Sequence, residues 1–152
     1  MYLREAKANE LDGIYAMGFD VWHDGLSFED YLTDCRNSDK YQAGTWYVLI
    51  EDDQIVSSLI VYGGMFGLKE ACFGVGSVAT PLDLRGRGYA SHLVSLVKTE
   101  LFANHQCQAI YLHSDIGHQF YSKLGFVPIE GSNCMVISNG SVDLDGSIPA
   151  YF

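Results

Sequence analysis

Hydrophobic and polar residues alternate with the period of a helix in the first quarter of the chain. This pattern predicts a helix over about residues 10–18, begun by Asn9, and a second over about 28–37, begun by Ser27. Before them, residues 2–4 form a short run that fits a first strand. The chain is therefore expected to begin with a strand and two helices.

A period of two residues, which is typical of strands, takes over in the middle of the chain. Residues 45–50 and 55–62, joined by a polar turn, predict a hairpin. A third long strand follows over 71–80, interrupted by glycines, and residues 81–88 form a turn. The front half of the chain is therefore expected to build an antiparallel sheet.

Helical spacing returns in the last third of the chain. An apolar stripe from Ala90 to Leu101 predicts a helix over residues 89–104. The remaining predicted elements are a strand over 107–113, a short helix over 116–124 that stops at Gly125, and late strands over 126–129 and 133–138.

The order of these elements, β-α-α-β-β-β-α-β-α-β-β, predicts a mixed α/β fold. A doubly wound dinucleotide fold would instead alternate strand and helix from the start. The chain has 152 residues, a length that fits one domain over residues 1–152.

The net charge of the chain limits the classes of partner that we expect. It carries 9 basic and 19 acidic side chains, for a formal net charge of −10. Nucleic-acid backbones are bound mainly by Lys and Arg, so we expect no nucleic-acid partner. The acidity fits a cationic partner or substrate, and it fits equally a general contribution to solubility.

No sequence pattern predicts export, a membrane partner or a metal site. The first residues lack an apolar signal core, and no apolar stretch is long enough to cross a bilayer. The four cysteines form no C-x-x-C pair, so we expect buried, reduced thiols in a cytoplasmic protein. His113 and His118 lack a third metal ligand, so no metal is expected.

The stretch from Gly74 to Ala90 contains two glycine signatures that are each compatible with phosphate binding. The first, GVGSVA (74–79), fits the dinucleotide fingerprint, which requires a helix to open within it. Strand-compatible residues continue through this stretch instead. We therefore interpret Gly74 and Gly76 as a bulge or as a place where another group approaches the strand closely.

The second signature, RGRGYA (85–90), has the surroundings of a phosphate site. A strand and a turn precede it, and a helix begins near Tyr89. Gly86 and Gly88 permit backbone angles that turn successive N–H groups into one concavity, at the positive end of the helix dipole. Two arginines add charge. The alternative is an ordinary glycine turn with two solvated arginines.

Two motifs of this chain resemble those of the GNAT N-acetyltransferases. Arg85-Gly86-Arg87-Gly88-Tyr89-Ala90 matches Q/R-x-x-G-x-G/A, the acyl-CoA pyrophosphate motif of that family. FYSKLGF (120–126) resembles the family's F/L-Y-x-K-x-G-F segment. The spacing of the motifs and the strand order also fit, so the resemblance covers the whole chain, most firmly residues 74–128. It implies a central, mostly antiparallel sheet flanked by helices.

The resemblance implies acetyl-CoA as cosubstrate and direct acetyl transfer to the primary amine of a small molecule or peptide. Backbone N–H groups of the second signature would hold the diphosphate. The strand edge before it would pair with the pantetheine arm like an added strand. The residues expected to bind the cofactor are Val78, Ala79, Thr80, Arg85, Gly86, Arg87, Gly88, Tyr89, Ala90 and Ser114.

Tyr121, in the second motif, is the general acid that the resemblance implies. CoA leaves as a thiolate, and a phenol with a pKa of about 10 can protonate that sulfur or donate a hydrogen bond to it. From periodicity alone, Tyr121 also fits the role of a core residue on a short helix.

The identity of the general base stays open. An alkyl ammonium has a pKa of about 10.4, and it must lose a proton before its nitrogen can attack the thioester. Glu70, at the entry to the third strand, and Asp115, after the next strand, are the candidates. The family often has Asn near position 115, so Asp115 departs from its pattern, and Asp115 fits a helix cap equally well.

Acceptor binding is expected in residues 21–31. Trp22, His23, Asp24 and Phe28 combine aromatic rings with an acid, which suits a small cationic amine. The same residues also fit an ordinary amphipathic helix.

Two other functions stay open at this point. One is a catalytically inactive acyl-CoA-binding or sensor module of the same fold. The other is a Rossmann-type oxidoreductase, which would use the first glycine signature. Exposed late strands are compatible with a homodimer.

Overall fold

The computed structural model describes residues 1–140 and 147–152. Its strands form one sheet, in which spatial order follows chain order except that the seventh strand lies between the fifth and the sixth. They are β1 (Tyr2–Glu5), β2 (Thr45–Glu51), β3 (Gln54–Gly63), β4 (Cys72–Ala79), β5 (Ala109–His113), β6 (Val127–Pro128) and β7 (Cys134–Ser138).

Pairing in this sheet is mixed. β4 and β5 run parallel, whereas β1 with β2, β5 with β7, and β6 with β7 run antiparallel. Helices flank the sheet, which confirms the predicted mixed α/β class. They are α1 (Leu11–Met17), α2 (Phe19–Trp22), α3 (Phe28–Arg36), α4 (Asp39–Ala43), α5 (Tyr89–Asn104) and α6 (Gln119–Ser122), with 3-10 helices at Ala8–Glu10 and Leu82–Leu84.

Helices that begin at a capping side chain or carry a long apolar stripe are found where the sequence predicts them. Ser27 caps α3 by accepting the Asp30 N–H at 3.2 Å. The stripe on α5 is buried as predicted, since Leu93, Val97 and Leu101 are at most 1% exposed. The two-helix prediction for the first quarter of the chain is incomplete because it omits α2 and α4, which are too short to show a period.

The prediction that Asn9 begins the first helix is wrong. Asn9 lies inside the 3-10 helix Ala8–Glu10, and the acceptor at this helix start is the Glu10 carboxylate. Glu10 accepts the Lys7 N–H at 2.7 Å and pairs with Arg4 at 2.8 Å. The Arg4 guanidinium lowers the pKa of Glu10 to about 2, so this ion pair persists to low pH.

The chain folds into two compact units. The first comprises Met1–Ile60 and Ser77–Leu93, and the second comprises Val61–Gly76 and Val94–Phe152. The single N-acetyltransferase domain over residues 1–152 stays a prediction.

An aromatic core holds the first unit together. The Tyr15 ring stacks on Tyr41, with ring centroids 5.8 Å apart, and meets the edge of Trp46 at the same distance. The buried Tyr31 hydroxyl donates to the Tyr15 carbonyl at 2.9 Å. This core fixes α1, α3 and α4 on one another.

All four cysteines are buried and free, as the sequence predicts. Burial raises the pKa of Cys134 to about 11 and that of Cys107 to about 12. In the described residues, no three His, Cys, Asp or Glu side chains form a group able to hold a metal ion. Within the same residues, the helices are too short or too polar for any of them to span a bilayer.

Candidate functional site

The loop before α5 presents backbone donors to open space. Gly86 and Gly88 have φ of +79° and +83°, the left-handed region that glycine adopts without strain. Among the described residues other than the two chain neighbours of each glycine, no atom lies within 4 Å of the position that a Cβ would take on Gly86 or Gly88. The His92 N–H bonds the Gly88 carbonyl at 3.0 Å, so the preceding N–H groups of residues 89–91 have no acceptor inside the helix.

The first turn of α5 contains no acidic side chain. The helix itself therefore offers no carboxylate to offset its positive dipole end, which favours an anion. The two left-handed glycines and the helix start together form a concave nest of donors. The structure thus provides the backbone geometry that the sequence predicts for this turn.

Arg85 binds protein groups within the first unit. Its guanidinium makes two hydrogen bonds to the Asp20 carboxylate, at 2.7 and 2.8 Å, and a third to the Thr80 carbonyl at 2.9 Å. The Arg85 partner holds the pKa of Asp20 below its usual range. Sequence reasoning missed Asp20, which ties α2 to the loop. Arg85 therefore fixes the loop in place.

Arg87 and Tyr89 are the other two side chains of the motif that make polar contacts. Arg87 is exposed, and its guanidinium lies 3.4 Å from the Asp83 carbonyl. The Tyr89 hydroxyl donates to Glu51 at the end of β2, and this bond raises the pKa of Tyr89. Tyr89 therefore anchors the start of α5, and the exposed Arg87 adds a positive charge to this turn.

A serine side chain of β3 fixes the end of β4 by hydrogen bonding. The Ser57 hydroxyl donates to the Ala79 carbonyl at 2.9 Å and lies 3.1 Å from the Thr80 hydroxyl. Pairing of β4 with β5 ends at Gly74, opposite Tyr111. Among the described residues, the later part of β4 therefore has no strand partner on the β5 side.

Gly74, the first glycine of the first signature, is explained by a close approach. A Cβ on Gly74 would lie 2.6 Å from the Phe152 ring, so the approaching group is a side chain of the same protein. Neither glycine of β4 has a positive φ; Ser77 does, at +48°, and its hydroxyl lies 3.0 Å from that of Tyr41. Sequence reasoning missed Phe152 because no periodicity links this residue to Gly74.

Gly74→Ala is expected to destabilise the protein by about 1–3 kcal/mol, because the added methyl group overpacks against the Phe152 ring. Gly76→Ala is the matched control on the same strand, where the nearest contact would be an ordinary 3.4 Å. Urea unfolding measures both changes. Combining Gly74→Ala with Phe152→Leu should recover part of the loss. Equal losses for the two alanine variants would contradict the close approach.

Tyr121 is a buried phenol on α6, with 8% of its surface exposed. Burial raises its pKa to about 12, and the charge of Asp115 adds to the effect. Within residues 1–140 and 147–152, no group forms a hydrogen bond with its hydroxyl. The phenol therefore stays protonated at neutral pH and keeps its proton available.

The turn after β5 carries Ser114 and Asp115. The Ser114 hydroxyl donates to the Gly117 carbonyl, and its N–H donates to the Asn133 carbonyl at 2.9 Å. Asp115 is exposed and accepts the Tyr151 hydroxyl at 2.9 Å. The predicted short helix is present, but its bounds of 116–124 are too wide, because α6 covers only Gln119–Ser122 and a turn occupies the preceding residues. Asp115 is therefore not the cap of this helix, the alternative that its sequence position offered.

Glu70 lies exposed in the turn before β4. A strand rises about 3.3 Å per residue, so the two ends of β4 are about 23 Å apart. Glu70 is therefore near the opposite end of this strand from Ala79. Of the two candidate bases, Asp115 is the one whose charge acts on Tyr121.

The predicted acceptor segment forms the end of α2, a turn and the start of α3. Phe19, which sequence reasoning missed, lies at its centre, with its ring centroid 5.2 Å from those of His23 and Phe28. The Trp22 ring covers Gly18, where a Cβ would lie 2.1 Å from it. Asp24 has a φ of +55° in the turn.

Exposed apolar residues, which we call the apolar patch, occur along this segment, and acidic residues adjoin them in the sequence. Phe28 is 42% exposed, which is unusual for a large aromatic residue in a packed helix. The apolar members of the patch are Val21, Trp22, Leu26 and Phe28. The acidic neighbours along the chain are Asp20, Asp24, Glu29 and Asp30.

Comparisons with known proteins bear on the family and the fold of this chain. The model of the Acetyltransferase (GNAT) family matches residues 9–126. A search of the curated proteins found no match.

Similar solved structures include a GNAT acetyltransferase from Brucella melitensis in complex with acetyl-CoA. It is 16% identical with a TM-score of 0.73, over 99% of this chain and 95% of that one. YhbS from Escherichia coli, in complex with CoA, is 18% identical with a TM-score of 0.67, over 90% and 80%. A variant of the spermidine N-acetyltransferase SpeG from Vibrio cholerae is 14% identical with a TM-score of 0.65, over 91% and 95%.

These likenesses show the fold, and the family match includes both the donor nest before α5 and Tyr121. The chain therefore belongs to the GNAT acetyltransferase family.

Proposed function

We propose that the protein is an acetyl-CoA-dependent N-acetyltransferase that acts on a primary amine of a small molecule or peptide. The observation that carries this proposal is the donor nest of Gly86 and Gly88 at the start of α5, in a chain that belongs to this family. Open space where their Cβ atoms would lie fits a diphosphate, which needs close approach to the backbone.

The first unit supplies the proposed cofactor contacts. N–H groups of residues 86–91 would bind the diphosphate, and Arg87 would add an exposed positive charge. The unpaired edge of β4 at Val78 and Ala79 would bond the amides of the pantetheine arm. We assign Ser114 to shaping the turn that carries Asp115, because its hydroxyl and N–H are already bonded.

Arg85→Ala and Asp20→Ala are expected to weaken acetyl-CoA binding to a similar extent, by about two- to fivefold, the effect typical of a partly exposed ion pair. Each change removes one side of the contact that fixes the loop. Calorimetric titration with acetyl-CoA measures the affinities. If Arg85 instead binds the diphosphate directly, Asp20→Ala should leave the affinity unchanged or raise it, because it releases the guanidinium.

Tyr121 is the proposed general acid. Acetyl-CoA supplies the acetyl group as a thioester, and the amine displaces the CoA thiolate. A buried phenol with a pKa of about 12 retains its proton until a strong base such as a thiolate forms nearby. The absence of a hydrogen-bond partner in the described residues leaves this hydroxyl available for that contact.

Asp115 is the proposed base or relay, and Glu70 is the weaker candidate. The amine must lose a proton, which at neutral pH costs about 4–5 kcal/mol for an alkyl ammonium. Asp115 is exposed and hydrogen-bonded, so it can accept a proton through water. The Asp115 charge contributes to the raised pKa of Tyr121, which supports Asp115 as the group that acts with the proposed acid.

The acceptor is proposed to bind at Trp22, His23, Asp24 and Phe28. Exposed rings beside carboxylates attract an ammonium group through cation–π and ionic contacts. The net charge of −10 would also favour the approach of a cation. A cytoplasmic location, with reduced thiols, and a homodimer remain part of the proposal.

Thermal unfolding with acetyl-CoA, CoA and NADH tests the choice of cofactor. Acetyl-CoA should raise the melting temperature, whereas NADH should not, because a ligand that binds only the native state stabilises it. Stabilisation by NADH alone would favour an oxidoreductase. Stabilisation by acetyl-CoA with no thiol release for any amine in a broad panel would favour the inactive acyl-CoA-binding module.

A further inference from the structure

The Arg85 guanidinium joins the loop before α5 to α2, within the first unit. It makes two hydrogen bonds to the Asp20 carboxylate, at 2.7 and 2.8 Å, and lies 3.4 Å from the Met17 carbonyl at the end of α1. Its Nε donates to the Thr80 carbonyl at 2.9 Å. Arg85 directly precedes Gly86, the first glycine of the donor nest. One side chain therefore connects the base of the nest to two helices.

α2 is a single helical turn that has little support of its own. It covers Phe19–Trp22, and none of its residues is buried. The Val21 and Trp22 N–H groups donate to the Gly18 carbonyl at 3.1 and 2.8 Å. A helix this short is unstable in isolation, because its first turn fixes several residues for few hydrogen bonds. The position of α2 therefore depends on its contacts with neighbouring elements.

The aromatic residues of α2 contact, or belong to, the set proposed to bind the acceptor. The Phe19 ring centroid lies 5.2 Å from those of His23 and Phe28. It lies at the same distance from that of the buried Tyr31 on α3. Trp22, the last residue of α2, is 38% exposed. A shift of α2 would therefore move the aromatic residues that are proposed to meet the amine.

We infer that Asp20 is a positioning residue that couples amine binding to acetyl-CoA binding, because its ion pair with Arg85 links the donor nest to α2. This inference rests on the proposed function and deepens it. A diphosphate in the nest restricts the loop and Arg85, so α2 is already ordered when the amine arrives. The amine therefore binds more tightly to the enzyme that holds acetyl-CoA, and the amine tightens acetyl-CoA binding by the same factor.

The ion pair of Asp12 and Arg36 provides a matched control in the same unit. Arg36 makes two hydrogen bonds to the Asp12 carboxylate, at 2.9 and 2.8 Å, so the geometry is the same. Asp12 and Asp20 each lie in the first turn of a helix, and alanine has the higher helix propensity at either position. The control pair joins α1 to α3 instead of α2 to the loop.

Hydrogen exchange at the Val21 and Trp22 amides, with and without saturating acetyl-CoA, tests the coupling. Acetyl-CoA should slow this exchange by about fivefold or more in the wild type and in Asp12→Ala. In Asp20→Ala the effect should be less than about twofold, whereas Asp20→Glu, which retains a carboxylate for Arg85, should keep most of it. Equal slowing in Asp20→Ala and the wild type, or no slowing in the wild type, would overturn the inference.

Thiol release with n-butylamine gives a second readout. At saturating acetyl-CoA, Asp20→Ala should raise the KM for n-butylamine by about fivefold and change kcat by less than about twofold, because the acceptor segment loses its order while the proposed acid and base remain. Asp12→Ala should match the wild type in both constants. An unchanged KM in Asp20→Ala would contradict the coupling. If the wild type releases no thiol with n-butylamine, the exchange comparison decides alone.

Thermal unfolding separates failure of this inference from failure of the proposed function. Saturating acetyl-CoA should raise the melting temperatures of the wild type, Asp20→Ala and Asp12→Ala. If it does not stabilise the wild type, the proposed function fails and the inference fails with it. If it stabilises the wild type but leaves exchange at the α2 amides unchanged, only the inference fails.

Discussion

Gly88→Val is expected to abolish stabilisation by acetyl-CoA. A valine at a φ of +83° is strained, and its branched side chain enters the concavity that the diphosphate would occupy. A ligand at about 100 times its Kd stabilises a protein by about 2.7 kcal/mol, and this gain should vanish. Thermal unfolding with and without acetyl-CoA measures the change.

Gly131→Val is the matched control for this prediction. Gly131 has a φ of +78° and open space around its Cβ position, but it lies in the turn between β6 and β7. The control should therefore have a similar backbone strain and retain the full shift with acetyl-CoA. A full shift in Gly88→Val would show that the cofactor does not use this nest.

Tyr121→Phe is expected to lower kcat by about a hundredfold or more, the usual range for loss of a general acid. Acetyl-CoA affinity should change little, because the ring and its packing remain. Steady-state thiol release gives kcat, and thermal shift or calorimetry gives the affinity. A free phenol begins to ionise at about pH 9–10. Because the pKa of Tyr121 is raised to about 12, ionisation of Tyr121 should not lower the turnover of the wild type in that pH range.

Tyr31→Phe is the control for loss of a buried hydroxyl. Tyr31 is 5% exposed and donates to the Tyr15 carbonyl. Its substitution should cost about 1 kcal/mol of stability and leave kcat near the wild-type value. Unchanged kcat in Tyr121→Phe would remove Tyr121 from the acid role.

The sequence predicts best those elements whose causes are local. Ser27 bonds an N–H three residues away, and the stripe on α5 repeats over about three turns, so both are visible without knowledge of the fold. The nest of Gly86 and Gly88 is likewise local, since a turn and a helix start define it.

The features that sequence patterns miss depend on contacts between distant residues. Asp20 and Arg85 are 65 positions apart, and Tyr151 and Asp115 are 36 apart. No periodicity links such pairs, so local reasoning assigns Arg85 to the phosphate and leaves Asp115 open between a general base and a helix cap. The same reason explains Gly74, whose requirement for glycine becomes clear only when Phe152 is placed against it.

The central claim is that the protein transfers acetyl groups from acetyl-CoA to an amine. The most direct test incubates the wild type and Tyr121→Phe with saturating acetyl-CoA and a panel of primary amines, including polyamines, amino acids and a lysine peptide. Free thiol and acetylated amine are measured together. We predict equal amounts of both products with at least one amine in the wild type, and much slower formation in the variant. Thiol release without an acetylated product, or no release with any amine, would contradict the claim.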